Sequence, residues 1–125
     1  ALIQVRQEQG PDAVILSNHG GRQLDDAVPP VAVLPEIAAD LPVPVLIDSG
    51  IRRGSDVIKS LCLGASMAGI GRPALYAVAA LGEDGVTRLL DVLRDEMDRV
   101  LAMLGAPELA ELNADMLLRQ NANAA

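Results

Sequence analysis

Apolar residues along this chain fall into short continuous runs alternating with stretches of helical spacing, and turn-forming residues mark most of the boundaries. Ala13 to Ser17 predicts a first strand, an apolar run that stops at the turn formers Ser17 and Asn18. Pro29-Pro30 then leads into a predicted helix over residues 31–39, with Pro35 early enough to be tolerated or to shift its start. Val43 to Ile47 predicts a second strand, bounded by prolines and by Asp48-Ser49-Gly50. A helix over residues 55–63 follows, with Ser55 as its cap and Gly64 as its stop. Residues 66–70 form the weakest predicted strand, after which Gly71-Arg72-Pro73 opens a helix through Ala80.

The longest pattern runs from Glu83 to Leu104. Val86, Leu89, Leu90, Leu93, Met97, Val100, Leu101 and Leu104 follow the three-or-four spacing of one buried helix face. Glu83 and Asp84 suit its N-terminus and Gly105 its end. Beyond Pro107 the pattern predicts one or two short helices and a frayed Asn/Ala tail. At the other end Leu2, Ile3 and Val5, ahead of Gly10-Pro11, look like the last turns of a helix. The chain also starts at Ala1 without Met, so it reads as a fragment that begins mid-fold.

Apolar strands alternating with helices predict an α/β fold with a parallel sheet covered on both faces. Three β-α units are too few to close a barrel, which takes roughly 250 residues when complete. The choice lies between a small open sheet and a piece of a barrel. In both, active groups stand at the C-terminal ends of the strands.

Composition narrows the class. The 125 residues, half of them hydrophobic, suffice for a core, yet Trp and Phe are absent and Tyr occurs once, so packing must be aliphatic. A net charge of −7 argues against a nucleic-acid binder or a general binder of anionic membranes. Local arginines would have to overcome that field to hold an anion. Cys62 stands alone, which excludes a disulfide framework and fits a reducing compartment. No apolar run reaches membrane-spanning length.

Candidate chemistry sits at the three strand ends. The first, Ser17 to Asp25, places the only histidine beside an arginine, with Gly20 and Gly21 letting the backbone fold tightly. An imidazole can take a proton near neutral pH and a guanidinium can grip a carboxylate through two parallel hydrogen bonds. His19 next to Arg22 therefore suggests chemistry on a small organic acid; the bland alternative is a polar loop whose histidine bonds the backbone. The second, Asp48-Ser49-Gly50-Ile51-Arg52-Arg53-Gly54 before a helix, suits a phosphate cradle, against a solvated loop. Of the neighbouring arginines, Arg52 is expected to reach the phosphate and Arg53 to face solvent. The third, Gly69-Ile70-Gly71-Arg72-Pro73, is weak alone. Two successive Gly-Arg strand ends strengthen one another, because a phosphate site after the last two strands recurs in barrels.

Together these motifs resemble the FMN-dependent α-hydroxy-acid dehydrogenase and oxidase family, which includes lactate and mandelate dehydrogenases and glycolate and lactate oxidases. The matching signatures are residues 17–25, residues 48–57 and Gly71-Arg72-Pro73, supported by residues 59–65 and 81–86. The resemblance implies the C-terminal part, about three β-α units, of a (β/α)8 TIM barrel, with residues 1–125 as one portion of that domain. It implies FMN as cofactor and oxidation of a small, lactate-like L-2-hydroxy acid to the 2-oxo acid. His19 would be the general base and, with Arg22, would bind substrate, Arg22 gripping its carboxylate. Ser17 would touch the flavin, Asp48, Ser49, Gly50, Ile51 and Arg52 would hold the ribityl-phosphate, and Gly71 with Arg72 would complete the phosphate grip. Oxygen, a quinone or a cytochrome would accept the electrons.

The family's flavin-facing lysine, second substrate arginine, aspartate partner of the base and substrate tyrosines have no counterpart here. The chain alone is therefore expected to be incomplete. Alternatives are another phosphate-binding FMN barrel, such as an isomerase or nucleotide dehydrogenase, and a non-catalytic remnant. The His19–Arg22 pair counts against the former.

Other residues carry blander expectations. Cys62 reads as a small buried hydrophobe, Tyr76 as packing, and Asp25 and Asp26 as braces of the first loop. Asp91, Asp95, Glu96 and Asp98 read as a solvated helix face. The wide apolar stripe of the last helix is compatible with a homo-oligomer in the full-length protein. Composition suggests a cytoplasmic setting, at most at the inner face of a membrane.

Overall fold

The computed structural model describes residues 10–118. The expected helix end at residues 2–5 and the Asn/Ala tail lie outside them. Three short strands, β1 (Val14–Leu16), β2 (Val45–Ile47) and β3 (Met67–Ala68), form a parallel sheet in the order β1-β2-β3. Each lies within a run predicted as a strand: β1 and β3 are trimmed at both ends, and β2 at its start only. Helix α1 (Pro30–Asp40) joins β1 to β2, and α2 (Gly54–Cys62) joins β2 to β3. A helical stretch α3 (Arg72–Leu104) follows, then single turns at Leu109–Glu111 and Ala114–Met116.

Local chemistry explains most boundaries. Pro30 occupies the first position of α1, where a missing N–H costs nothing, and Pro35 is tolerated inside the helix. Helix α2 starts one residue earlier than expected, and Ser55 does not cap it. Asp56 does the work instead: its Oδ2 accepts the N–H groups of Arg52 and Arg53, both at 3.0 Å. The two helices predicted over residues 72–80 and 83–104 run together but break at Leu81 and Gly82, whose φ of −143° and 60° leave helical geometry. Gly105, with φ 70°, ends the second arm in the left-handed conformation.

The core lies between the sheet and the helices. Leu34, Val45, Ile47 and Ala65 are its buried centre, flanked by Val14, Leu16, Ile37 and Ala68. Full burial of Leu34 or Ile47 contributes about 1.5–3 kcal/mol each. The opposite face of the sheet differs from expectation. Ile15, Leu46 and Met67 stand side by side in register there, and Ile15 and Met67 are 67% and 60% exposed. Among the described residues the sheet is covered on one face, not two: Leu34 of α1 packs on the side of Val45 and Ile47, and α3 packs on α2.

The second arm of α3 buries Leu93 and half-buries Val86, Leu89, Met97, Val100 and Leu101, whereas Leu90 and Leu104 face outward, contrary to the full stripe. Tyr76 also departs from its expected packing role and is 68% exposed. No described helix is long and apolar enough to cross a membrane.

Gly54 is where α2 and α3 meet. A Cβ there would stand 2.6 Å from the Leu93 carbonyl oxygen, the Met97 nitrogen and Glu96 Cβ. Glu96 exploits this proximity: Oε2 accepts the Gly54 N–H at 2.7 Å and Oε1 holds Arg53 Nε at 2.9 Å. Glu96 therefore leaves the solvated face predicted for it, while Asp91, Asp95 and Asp98 stay exposed. Gly54→Ala must push the helices apart and is expected to destabilise the fold by about 1–3 kcal/mol, measured by denaturant unfolding.

Cys62, 4% exposed, is the buried hydrophobe expected. Burial pushes its thiol above the ordinary 9.0, against smaller lowering by the backbone N–H groups of Asn113 and of Cys62 itself. The unfolded chain loses this proton first, so the contribution to stability is complete below pH 9.0 and declines above it. Iodoacetamide at pH 8 to 9 is expected to label Cys62 at least about tenfold faster in urea than in buffer, since thiolate and access both increase.

Candidate active site

Parallel pairing in the order β1-β2-β3 brings the three strand ends to one edge, with the loop after β2 in the middle. The loop after β1 closes as a left-handed turn, His19–Gly21, in which φ is 56°, 66° and 73°. Hydrogen bonds from Gly21 N–H to the Asn18 carbonyl (3.1 Å) and from Arg22 N–H to the His19 carbonyl (3.4 Å) close it. Gly20 is required here twice over. Its φ favours glycine, and a Cβ would lie 3.2 Å from Arg72 Nη2, which crosses over it from the third loop.

Below the turn, Asn18 Nδ2 donates to the Val28 carbonyl at 3.3 Å, while its Oδ1 is buried without a partner among the described residues. Asp25 Oδ1 accepts the Asp26 N–H at 3.3 Å, the bracing role expected of that pair. Gln23 Nε2 lies 3.3 Å from His19 Nδ1, placing an amide on one imidazole nitrogen.

One cavity of about 280 Å3 gathers the three loops. His19 and Arg22 line it from the first, Asp48, Ser49, Gly50, Ile51 and Arg52 from the second, and Gly71 and Arg72 from the third. Every candidate except Ser17 is thus brought to a common space. Ser17 stands behind the turn, its Oγ accepting the His19 N–H at 3.1 Å. Of the lining residues, Leu75 lies outside the three motifs read from the sequence; it stands in the first turn of α3, two residues after Pro73 of the third motif. Arg53 turns away to Glu96, as the choice of Arg52 required.

The donor set suits a phosphate-bearing group. Arg52 and Arg72 supply charge, and Gly50 and Gly71 have no atom within 4 Å of where a Cβ would stand, so a ligand can approach their backbone. Asp48, the acid among the lining residues, has Oδ1 engaged by the Ser49 hydroxyl at 2.7 Å. No side chain caps the start of α3, where Pro73 has no N–H and the N–H groups of Ala74 and Leu75 go to the Gly71 carbonyl at 3.0 and 3.3 Å.

The sequence profile of the FMN-dependent dehydrogenases matches residues 4–119. The chain belongs to that family. FMN is the family's cofactor, and the residues just described fit its phosphate. The chain is 52% identical over 109 residues to (S)-mandelate dehydrogenase of Pseudomonas putida, an alignment covering 87% of this chain and 28% of that protein. It is 45% identical to L-lactate dehydrogenase (cytochrome) of Saccharomyces cerevisiae, covering 88% of this chain and 20% of the relative. The crystal structure of a soluble mutant of the membrane-associated (S)-mandelate dehydrogenase from Pseudomonas putida superimposes with a TM-score of 0.87 at 51% identity. That superposition covers 89% of this chain and 32% of the other. The chain therefore spans less than a third of the length of these relatives, and its fold is a parallel α/β portion of their barrel.

If the two Gly-Arg loops hold the flavin phosphate, Arg72→Ala in the full-length holoenzyme is expected to weaken FMN retention about 10- to 100-fold. Arg53→Ala, held by Glu96, should change it by less than about threefold. Equilibrium dialysis with FMN measures both.

Proposed function

We propose that this chain is the C-terminal portion of an FMN-dependent enzyme that oxidises a small, lactate-like L-2-hydroxy acid to its 2-oxo acid. The observation that carries the proposal is the single cavity in which His19 and Arg22 face the glycine–arginine loops suited to FMN. Membership of the family and the substrates in the relatives' names, mandelate and lactate, support the same class.

Arg22 binds the substrate carboxylate in a bidentate fork and so fixes the neighbouring hydroxyl-bearing carbon. Orientation of this kind removes much of the entropic barrier to reaction. His19 takes a proton from the substrate as general base. That role needs one unprotonated ring nitrogen, and Gln23 Nε2 stands 3.3 Å from Nδ1, within hydrogen-bond reach of the ring. Arg52, Arg72 and the backbone of Gly50 and Gly71 hold the phosphate end of the cofactor. FMN, when bound, supplies the two-electron acceptor. The electrons leave to a cytochrome, a quinone or oxygen, the first being named for the yeast relative. The reading places the enzyme in the cytoplasm or at the inner face of a membrane, the mandelate relative being membrane-associated.

Anaerobic addition of L-lactate or L-mandelate to the full-length protein is expected to bleach the flavin absorbance. His19→Ala should slow that bleaching by about 10^2–10^4-fold with FMN still bound. Arg22→Lys should raise the substrate Kd about 10- to 100-fold and leave FMN affinity nearly unchanged, since lysine cannot form the fork. Unaltered bleaching in His19→Ala removes the base assignment.

A further inference from the structure

We propose that Ser49 is a positioning residue and not a ligand of FMN: its hydroxyl pins the turn that carries His19 and Arg22 to the loop after β2. The inference rests on the proposed roles of His19 and Arg22. A serine hydroxyl has one proton to donate and two lone pairs to offer. Ser49 Oγ donates to Asp48 Oδ1 at 2.7 Å and accepts the N–H groups of Asn18 at 3.3 Å and of Gly20 at 3.0 Å. Its capacity is then filled by protein, and nothing is left for a phosphate.

Backbone geometry agrees. Ser49 has φ 71°, a left-handed conformation that costs a non-glycine residue about 1–3 kcal/mol. Glycine would relieve that strain but would lack the hydroxyl, which spans 29 residues of sequence to reach Gly20. Asp48 fixes the direction of the hydroxyl proton, so the lone pairs point at the turn. The neighbouring donor is met in the same way, His19 N–H by Ser17 Oγ at 3.1 Å, and the two serine oxygens lie 3.5 Å apart. The three successive N–H groups of Asn18, His19 and Gly20, at the entry to the turn, would otherwise be open to an anion. The serine hydroxyls occupy them, leaving anionic ligands to the arginines. Because the same loop supplies Arg52 to the cavity, Ser49 ties the placement of the base and the carboxylate clamp to the phosphate side of the site.

The test uses the full-length holoenzyme with Ser49→Gly, which removes the hydroxyl and the strain, and Ser49→Ala, which removes the hydroxyl alone. Hydrogen exchange read by mass spectrometry on peptides covering residues 17–22 is expected to quicken about tenfold or more in both variants. Turnover should fall about 10- to 100-fold with FMN affinity within about threefold of the parent, and Ser49→Gly should melt no lower than the parent. Unchanged exchange in both variants overturns the proposal. So does a loss of FMN affinity at unchanged exchange, which would make Ser49 a phosphate ligand. If the parent enzyme turns over no 2-hydroxy acid, the proposed function falls, and the exchange comparison still decides whether Ser49 pins the turn.

Discussion

Parallel pairing of β2 with a strand on each side is the constraint on which the site depends. Parallel strands send all their C-terminal ends to one edge, so the loops after β1, β2 and β3 must meet there. The order β1-β2-β3 then decides who meets whom: the central loop touches both neighbours, and Arg72 from the third reaches over Gly20 in the first. Backbone bonds at the edge fix the registration, Asp48 N–H to the Leu16 carbonyl at 3.2 Å and Gly69 N–H to the Ile47 carbonyl at 2.7 Å. A slip of one residue would send Val45 and Ile47 out of the core and redirect every loop.

Helix packing supports the same edge from behind. Leu34, Val45 and Ile47 anchor α1 to the sheet, and the close approach at Gly54 anchors α2 to α3. Glu96 links that contact to the site, since holding Arg53 and the Gly54 N–H fixes the end of the loop in which Arg52 faces the cavity. Left-handed φ occurs at three non-glycine residues among those described, His19, Asp26 and Ser49, and two of them, His19 and Ser49, line the cavity. The row of Ile15, half-buried Leu46 and Met67 is the apolar counterpart of this arrangement, a sheet face with the composition of an interior.

Much of this was legible in residue order. The apolar runs at 13–17, 43–47 and 66–70 contain β1, β2 and β3, although among the described residues the burial is complete only on the face of Val45 and Ile47. Helix spans were read from spacing and from punctuation by Pro30, Gly64 and Gly105. Motifs beside each strand end named the lining residues of the cavity, since loop chemistry is written locally and resembles one family. That Arg52 and not Arg53 faces the cavity also followed from neighbours on a chain pointing apart.

Tertiary structure decided the rest, for reasons of long-range contact that no local pattern encodes. Glu96 looks like one more acid on a polar helix face, and only the approach of α2 at Gly54 makes it a partner. Ser55 has the composition of a cap, but the carboxylate of Asp56 reaches the orphan N–H groups of Arg52 and Arg53 first. Leu90, Leu104 and Tyr76 satisfy an apolar pattern without being covered, because a pattern states what a face can bury and not what is packed against it. Sequence alone thus determined the elements and the chemistry carried at each strand end. Which hydroxyl meets which amide across the sheet edge was set by strand order, because those partners lie about thirty residues apart and meet only once the strands have paired.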